Sequence, residues 1–517
     1  MNKKNGVLGW PKWLLGLCLG SWVLRLLIAW LLPPGFDEAY YFLYTQHWDW
    51  SYFDHPVMVA LTTALGPWLT GYISPLTLRL GALLLYGLST GLLYLSGRRL
   101  FSPMVGMWAV AIASLSPLFI FSFGLLTAPD NALIFGWSAV MYVAILEFFP
   151  TGRAYHPTVK IALIGFLLGV TCLSKYHGFI LGLSLVIFCL TSRNHRRALV
   201  SPWTGVALVL FFLTLTPLLY WNVQHDWLSF IFHLSSRFED SNAASQPKFN
   251  PLNMVVVWLV GIAYLFPSFG LPLWWSSGLS LQQLGDLRQR FVLILGLPVA
   301  LGFTLLGGFT HIYPAWPAPG LWSLSLLLAL FMAGLTLHQV KQWLVSSALV
   351  MATLLLFALG HIWLGTLQRP GGLVEIMPLD KDPTTTMVDV VQLRRLLQSG
   401  TAGDVISNVD FVVTNEFWLS GYLDMAISPF ASMPVIAFTQ DPRGHSVWFN
   451  SADWLGYSGL FLSIADYDQN TIRATYSPYF ERFNLIEVVE TQRAGATTEK
   501  FYLYDVGKLT SPYKYPY

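Results

Sequence analysis

Residues 14–54 read LLGLCLGSWVLRLLIAWLLPPGFDEAYYFLYTQHWDWSYFD. The first part, Leu14 to Leu32, is apolar over a length that suits a bilayer core of roughly 30 Å, which takes about 20 residues of helix. A Pro-Pro-Gly turn ends it, and the acids Asp37, Glu38, Asp49 and Asp54 follow with no lysine or arginine among them. The basic MNKKNGVLGWPKW precedes the apolar run, as in a signal peptide. No small-residue cleavage site follows, so this run is expected to stay as a first membrane helix.

Working outward, the whole chain has this character. Of 517 residues, 55% are hydrophobic and 11% are charged, against about 25% charged in an average soluble domain. Too few charges are present to coat the surface of a soluble protein this long. Mean hydropathy is +0.55. Further spans are expected near residues 76–97, 104–123, 131–149, 159–174, 176–191, 203–221, 252–273, 290–308, 317–336 and 343–366, about eleven in all.

Charge distribution tests that count, because inner loops collect lysine and arginine. With the N-terminus inside, the inner segments hold Lys3, Lys4, Lys12, Arg98, Arg99, Arg153, Lys160, Arg193, Arg196, Arg197, Arg288, Arg290 and Lys341. The outer loops between helices hold only Lys175, Arg237 and Lys248. The outer loops are then 33–75, 124–130, 222–251 and 308–316, besides the tight turn at Lys175. The C-terminus also lies outside.

After residue 368 the spans cease and charges return. Asp389 to Gln398 has helical spacing. Asp410 to Thr414, Pro434 to Phe438, Leu460 to Ile464, Leu485 to Glu490 and Lys500 to Val506 read as strands. The expected organisation is a polytopic α-helical membrane domain over 1–368 and a small α/β domain over 369–517, facing the periplasm. Cys18, Cys172 and Cys189 sit in apolar runs and read as small buried hydrophobes. Nothing in the charge pattern suggests nucleic acid.

The unusual polar groups gather in the outer loops. Ala39 to Trp50 and residues 57–72 have amphipathic spacing and many aromatics, and are expected to lie in the membrane interface. Asp49 reads as a solvated loop charge. Asp37 and Glu38 follow directly on a span, and Asp37 also suits a helix cap. Asp130, in Leu126-Thr-Ala-Pro-Asp130-Asn131, opens the fourth span, where an ionisable group is costly and is a functional candidate. His233 and Arg237 are four apart and share a helix face, which suits a phosphate or a metal beside one. Lys175 reads as a phosphate partner, and His311 and Tyr313 add to the same side. Acids at one place and cations at another fit group transfer from a phosphorylated lipid. Carboxylates would deprotonate an acceptor or hold a divalent metal, and cations would hold the departing phosphate.

At these residues the chain resembles the GT-C membrane glycosyltransferases. The branch is the bacterial one of the dolichyl-phosphate-mannose–protein mannosyltransferase superfamily, which includes the lipid A aminoarabinose transferase. The pieces carrying the resemblance are PPGFDEAYYFLYTQHW, WSYFDHPVMVALTTALG, SPLTLRLGALLL, LLTAPDNAL, LSKYHGF, PLLYWNVQHDWLSFIFHLSSR and HIYPAWPAPG, in family order over residues 33–320. The resemblance implies an inverting transfer of sugar from a polyprenyl-phosphate donor at the outer face of a bacterial inner membrane. It implies Asp37 as the catalytic acid, Glu38 as its neighbour and Asp130 as the second catalytic acid. Asp54 and His233 are implied as metal ligands, with a divalent ion as the cofactor. Lys175, Arg237, His55, His311 and Tyr313 are the expected donor-phosphate contacts, His55 standing in the place of a lysine. The expected partners are the lipid-linked donor, a lipid or glycan acceptor and the membrane, and the expected state is a monomer. Lipid A or its core, another envelope glycan and a protein all stay open as acceptors, lipid A being the first choice.

Three other readings compete. A flippase for lipid-linked sugars would place ionisable residues near the midplane and show repeats, and neither is evident. A polymerase or ligase would be expected to carry arginine-rich late loops. A non-enzymatic scaffold leaves the acid cluster unexplained.

Overall fold

The computed structural model describes residues 10–152, 154–234, 249–367, 382, 384, 387–493 and 496–516. Arg237 and Lys248 lie outside the described residues. The helices before the C-terminal domain, in chain order, begin with α1 (Lys12–Leu31), α2 (Phe36–Gln46), α3 (Met58–Thr70), α4 (Pro75–Leu100), α5 (Pro103–Leu115), α6 (Pro117–Gly124) and α7 (Pro129–Phe148). They continue with α8 (Lys160–Cys172), α9 (His177–Thr191), α10 (Arg196–Leu199), α11 (Pro202–Thr214), α12 (Thr216–Gln224) and α13 (Leu228–Leu234). The last five are α14 (Pro251–Leu265), α15 (Pro267–Leu281), α16 (Leu287–Leu306), α17 (Ala318–Ala333) and α18 (Leu337–Leu364).

All eleven expected apolar segments are helical, and the chain is a multi-pass membrane protein. Five helices, α1, α4, α7, α16 and α18, are each long and apolar enough to cross a bilayer. Three expected spans are bent pairs instead: α5/α6 by 79°, α11/α12 by 46° and α14/α15 by 117°. The second member of each pair opens with a proline in its first turn, Pro117, Pro217 or Pro267. Proline has no N–H to donate and clashes with the carbonyl four residues back, so a continuous helix fails there. At Phe266, between α14 and α15, the backbone also takes a positive φ of 76°. The segment expected as one crossing at 252–273 is therefore two helices folded sharply on each other. The other expected spans, α8, α9 and α17, are apolar helices of 13, 15 and 16 residues.

Contacts divide the chain into two compact units. One comprises Met1–Leu27, His55–Val59 and Ala82–Thr353, and the other Ile28–Asp54, Ala60–Gly81 and Leu354–Tyr517. In the first unit α17 is buried over most of its length. It approaches α16 closely because Gly296 and Gly320 face each other, where a Cβ on Gly320 would come within 2.4 Å of the Gly296 carbonyl. Small residues allow such contact between membrane helices. The α5/α6 bend leaves carbonyls without helical donors, and apolar surroundings require them to be paired. Tyr86 Oη donates to the Ala113 carbonyl at 2.6 Å, and Ser21 Oγ donates to that of Ser114. The Arg25 guanidinium lies 4.4 Å from the centre of the Tyr86 ring.

The second unit contains a five-stranded mixed sheet, built from β1 (Phe411–Thr414), β2 (Val435–Ala437), β3 (Ser458–Ile464), β4 (Asn484–Arg493) and β5 (Ala496–Lys508). Its order is β2-β1-β3-β5-β4, with β1 parallel to β2 and β3, and β5 antiparallel to β3 and β4. Each strand overlaps one expected from sequence. One face carries Val412, Leu460, Leu462 and Leu503 against α19 (Val390–Leu397), α20 (Gly400–Ile406) and α21 (Phe417–Ile427). The other face carries Phe411, Val413, Phe438 and Phe461.

Ala39 and Phe42 of α2 join the first of these cores. The segment expected in the membrane interface is thus a protein-buried helix, with Glu38 through Tyr44 all inaccessible. Gly421 of α21 makes the approach possible, since a Cβ there would sit 2.1 Å from the Ala39 carbonyl. Tyr422 Oη donates to the Pro34 carbonyl at 2.8 Å. Aromatic residues in the first loop therefore serve packing against the α/β domain, a role that spacing alone does not distinguish from an interfacial one.

On α21, burial pushes the Asp424 carboxyl up to about 7. A carboxyl raised in the fold stays neutral there while the unfolded chain ionises it above about pH 4. Stability is then lost as pH rises from about 4 to 7. Asp424→Asn is expected to raise the thermal midpoint at pH 8, by an increment worth up to about 4 kcal/mol, and to leave it unchanged near pH 4. Unfolding of the full chain in detergent at both pH values checks this.

Candidate active site

The acids of the first loop receive different tasks from their surroundings. Glu38 is 2% exposed, and Arg79 of α4 is completely buried beside it. Arg79 Nε and Nη2 donate to its two oxygens at 2.8 and 2.6 Å. The Gly35 N–H donates to the same carboxylate at 3.0 Å, so Glu38 closes the first turn of α2. Arg79 also donates to the carbonyls of Ala29, Leu32 and Pro33. Ala29 is in the last turn of α1 and Leu32 and Pro33 follow it directly, where carbonyls run out of helical partners. One guanidinium thus ties the end of α1 to the start of α2. Asp37, one residue earlier, stands exposed in the first turn of α2.

Asp54 is 2% exposed. Its Oδ1 accepts from the Tyr40 and Tyr44 hydroxyls, and its Oδ2 accepts from Arg443 Nη1 at 3.2 Å. Burial pushes both phenols well above their usual range, and the Asp54 charge adds to this, so they stay protonated as donors. Burial alone would lower the Arg443 guanidinium, but the Asp54 and Asp441 carboxylates outweigh it and keep it charged. Asp49 is half-buried and accepts a hydrogen bond from its neighbour, the Trp50 N–H.

In the other unit, Asp130 lies in the first turn of α7 and Lys175 in the turn joining α8 to α9. Lys175 Nζ donates to both Asp130 oxygens, at 2.9 and 3.0 Å, with both side chains largely buried. The next residue, Tyr176, bonds Ser229 at 2.6 Å and lies edge-on to His233, ring centres 4.9 Å apart. His233 lies 6.0 Å from His55 by the same measure. The Met58 N–H donates to the Leu173 carbonyl, which docks His55–Val59 on this turn. His177 Nε2 lies 3.1 Å from the Trp316 carbonyl, and the Trp316 ring lies tilted 5.8 Å from Tyr313, itself edge-on to His311. Asp130, Lys175, His55, His233, His311 and Tyr313 therefore fall on one connected network. Nothing in the sequence pairs Asp130 with Lys175, 45 residues away.

Among the described residues no three His, Cys, Asp or Glu side chains converge. Asp54 faces a guanidinium, and the His55 and His233 rings lie 6.0 Å apart. Sequence reasoning missed Arg79, Arg443, Tyr40, Tyr44 and Tyr176. The first might have been found as a lone arginine inside an apolar run after an acid pair; the others carried no local signal.

The family model for dolichyl-phosphate-mannose-protein mannosyltransferase matches residues 54–221. ArnT from Cupriavidus metallidurans, in its undecaprenyl phosphate complex, superposes with a TM-score of 0.61 over 98% of this chain and 100% of its own, at 16% identity. The fold is that of ArnT. Apo ArnT from the same organism gives a TM-score of 0.58 over 95% of this chain and 98% of its own, again at 16% identity. No curated relative matches the sequence. The likeness to ArnT covers residues of both compact units, the first loop and the C-terminal α/β domain included.

Proposed function

We propose that this chain is an inverting glycosyltransferase of a bacterial inner membrane. It moves a sugar from a polyprenyl-phosphate donor to an envelope acceptor at the outer face, the N-terminus being cytoplasmic and the C-terminal domain periplasmic. The observation that carries the reading is the pairing of tasks at Asp37 and Glu38. A buried ion pair immobilises Glu38 and the turn around it, and leaves the adjacent Asp37 exposed on a rigid helix start. Such a carboxylate is suited to act as a general base. The fold shared with ArnT, whose complex holds undecaprenyl phosphate, supports a lipid-phosphate donor.

In this reaction Asp37 takes the proton of an acceptor hydroxyl as its oxygen attacks the anomeric carbon. The bond from that carbon to the phosphate oxygen breaks, and polyprenyl phosphate leaves with the electron pair. Lys175 holds the departing phosphate, with His55 and His233 as further donors and Asp130 aiming Lys175 by accepting two hydrogen bonds from it. Glu38 is an anchor. No step is routed through a metal.

Lipid A or lipopolysaccharide is the acceptor favoured by the loop resemblance. The family model, described as a protein mannosyltransferase, favours a protein acceptor as the second reading. Mass spectrometry of lipid A and of exported proteins from a deletion strain separates the two. A sugar missing from lipid A supports the first, and one missing from a protein supports the second. Glycoconjugates unchanged in both classes would defeat the assignment.

A further inference from the structure

Residues 441–448, DPRGHSVW, lie in the α/β domain more than 380 positions from the first loop, yet they touch it along its length. Arg443 bonds Asp54, and the Gly444 N–H donates to Tyr40 Oη at 3.1 Å. Trp448 stacks flat on His47, ring centres 4.7 Å apart at 8°, and meets Tyr44 edge-on at 5.7 Å. Arg443 Nε bonds Asp441 at 3.3 Å, and the guanidinium sits 3.9 Å from the centre of the Phe417 ring. Its backbone has a φ of +45°, a region that costs a residue other than glycine about 1–3 kcal/mol. A strained backbone at an arginine that reaches a buried carboxylate is a costly way merely to close a surface. An exposed ion pair would contribute at most about 1 kcal/mol.

We propose that Arg443 is a positioning residue for sugar transfer. Through Asp54 and the Tyr40 and Tyr44 hydroxyls it holds the first loop in one conformation, so that the α/β domain sets the geometry in which the loop's Asp37 works. This rests on the glycosyltransferase reading above. Tyr40 and Tyr44 lie one and two turns along α2 from Asp37, and Asp54 ends the loop that follows. Removing the guanidinium takes an ion-pair partner from a buried carboxylate, and the loop is then expected to rearrange around it. A misplacement of about 1 Å is enough to cost about 10²-fold in rate.

The test uses the full-length protein in proteoliposomes, supplied with the lipid extract of a deletion strain as donor source. Consumption of polyprenyl-phosphate sugars is followed by mass spectrometry, and binding of undecaprenyl phosphate is measured separately. Arg443→Met is expected to slow transfer by about 10²-fold, with undecaprenyl phosphate affinity within twofold of the parent protein. Arg443→Lys, which keeps a cation on a flexible stem, is expected to recover part of the rate. The double variant with Asp54→Asn is expected to be no slower than the slower single variant, because both changes break one interaction. Multiplying rate losses in the double variant, or a normal rate in folded Arg443→Met, would overturn the proposal. So would parallel loss of folded protein in both Arg443 variants, since Arg443 would then serve only the fold. A parent protein that neither binds undecaprenyl phosphate nor consumes a lipid-linked sugar would instead defeat the underlying reading.

Discussion

Asp37→Asn is expected to abolish measurable transfer, with a fall of about 10²–10⁴-fold, the range that a positioned general base contributes. The substitution keeps shape and removes basicity. Asp37 is exposed and Glu38 closes the first turn of α2, so the folded protein should be obtained in normal yield with an unchanged thermal midpoint. Asp49→Asn is the internal control, because half-buried Asp49 accepts a hydrogen bond from the neighbouring Trp50 N–H outside the proposed machinery; it should transfer at the parental rate. If Asp37→Asn retains full activity, the base is another group and the central assignment fails.

The second large effect is on stability. Arg79→Leu should cost about 3–5 kcal/mol, the usual penalty for leaving one member of a buried pair uncompensated. The Glu38 carboxylate would lose both arginine contacts, and the carbonyls of Ala29, Leu32 and Pro33 would lose their shared donor. Thermal unfolding in detergent should show a lower midpoint, with transfer lost even in protein that remains folded, because the turn bearing Asp37 is no longer held. The double variant Glu38→Leu, Arg79→Leu removes the stranded charge and should regain part of the stability. It should not regain all of it, since the three carbonyls stay without that donor. Equal midpoints for Arg79→Leu and the parent protein would show that the clamp has no such role.

Much of this was legible from local pattern. The apolar runs, the five strands and the acid-rich first loop all register in consecutive residues, through the length of a span or the alternation of a strand. The three bends were legible in part: Pro117, Pro217 and Pro267 mark where a helix must break, yet hydropathy windows average across them. The burial of α2 was not, because tyrosine and phenylalanine on a helix face suit a lipid interface and a protein core equally well. Only the presence of α21, with Gly421 against Ala39, decides between them.

By itself the sequence determined which long segments are apolar enough for a membrane, the strands of the C-terminal domain and the presence of carboxylates at the end of the first span. These are properties of short stretches, set by transfer free energy and backbone preference. Only the tertiary structure decided what each charge does. Glu38 meets Arg79 across 41 positions, Lys175 meets Asp130 across 45, and Arg443 meets Asp54 across 389. A buried charge must find a partner, but which partner depends on how distant helices and strands pack. The same rule separated Asp37, left exposed beside a clamped neighbour, from the acids that the fold neutralises.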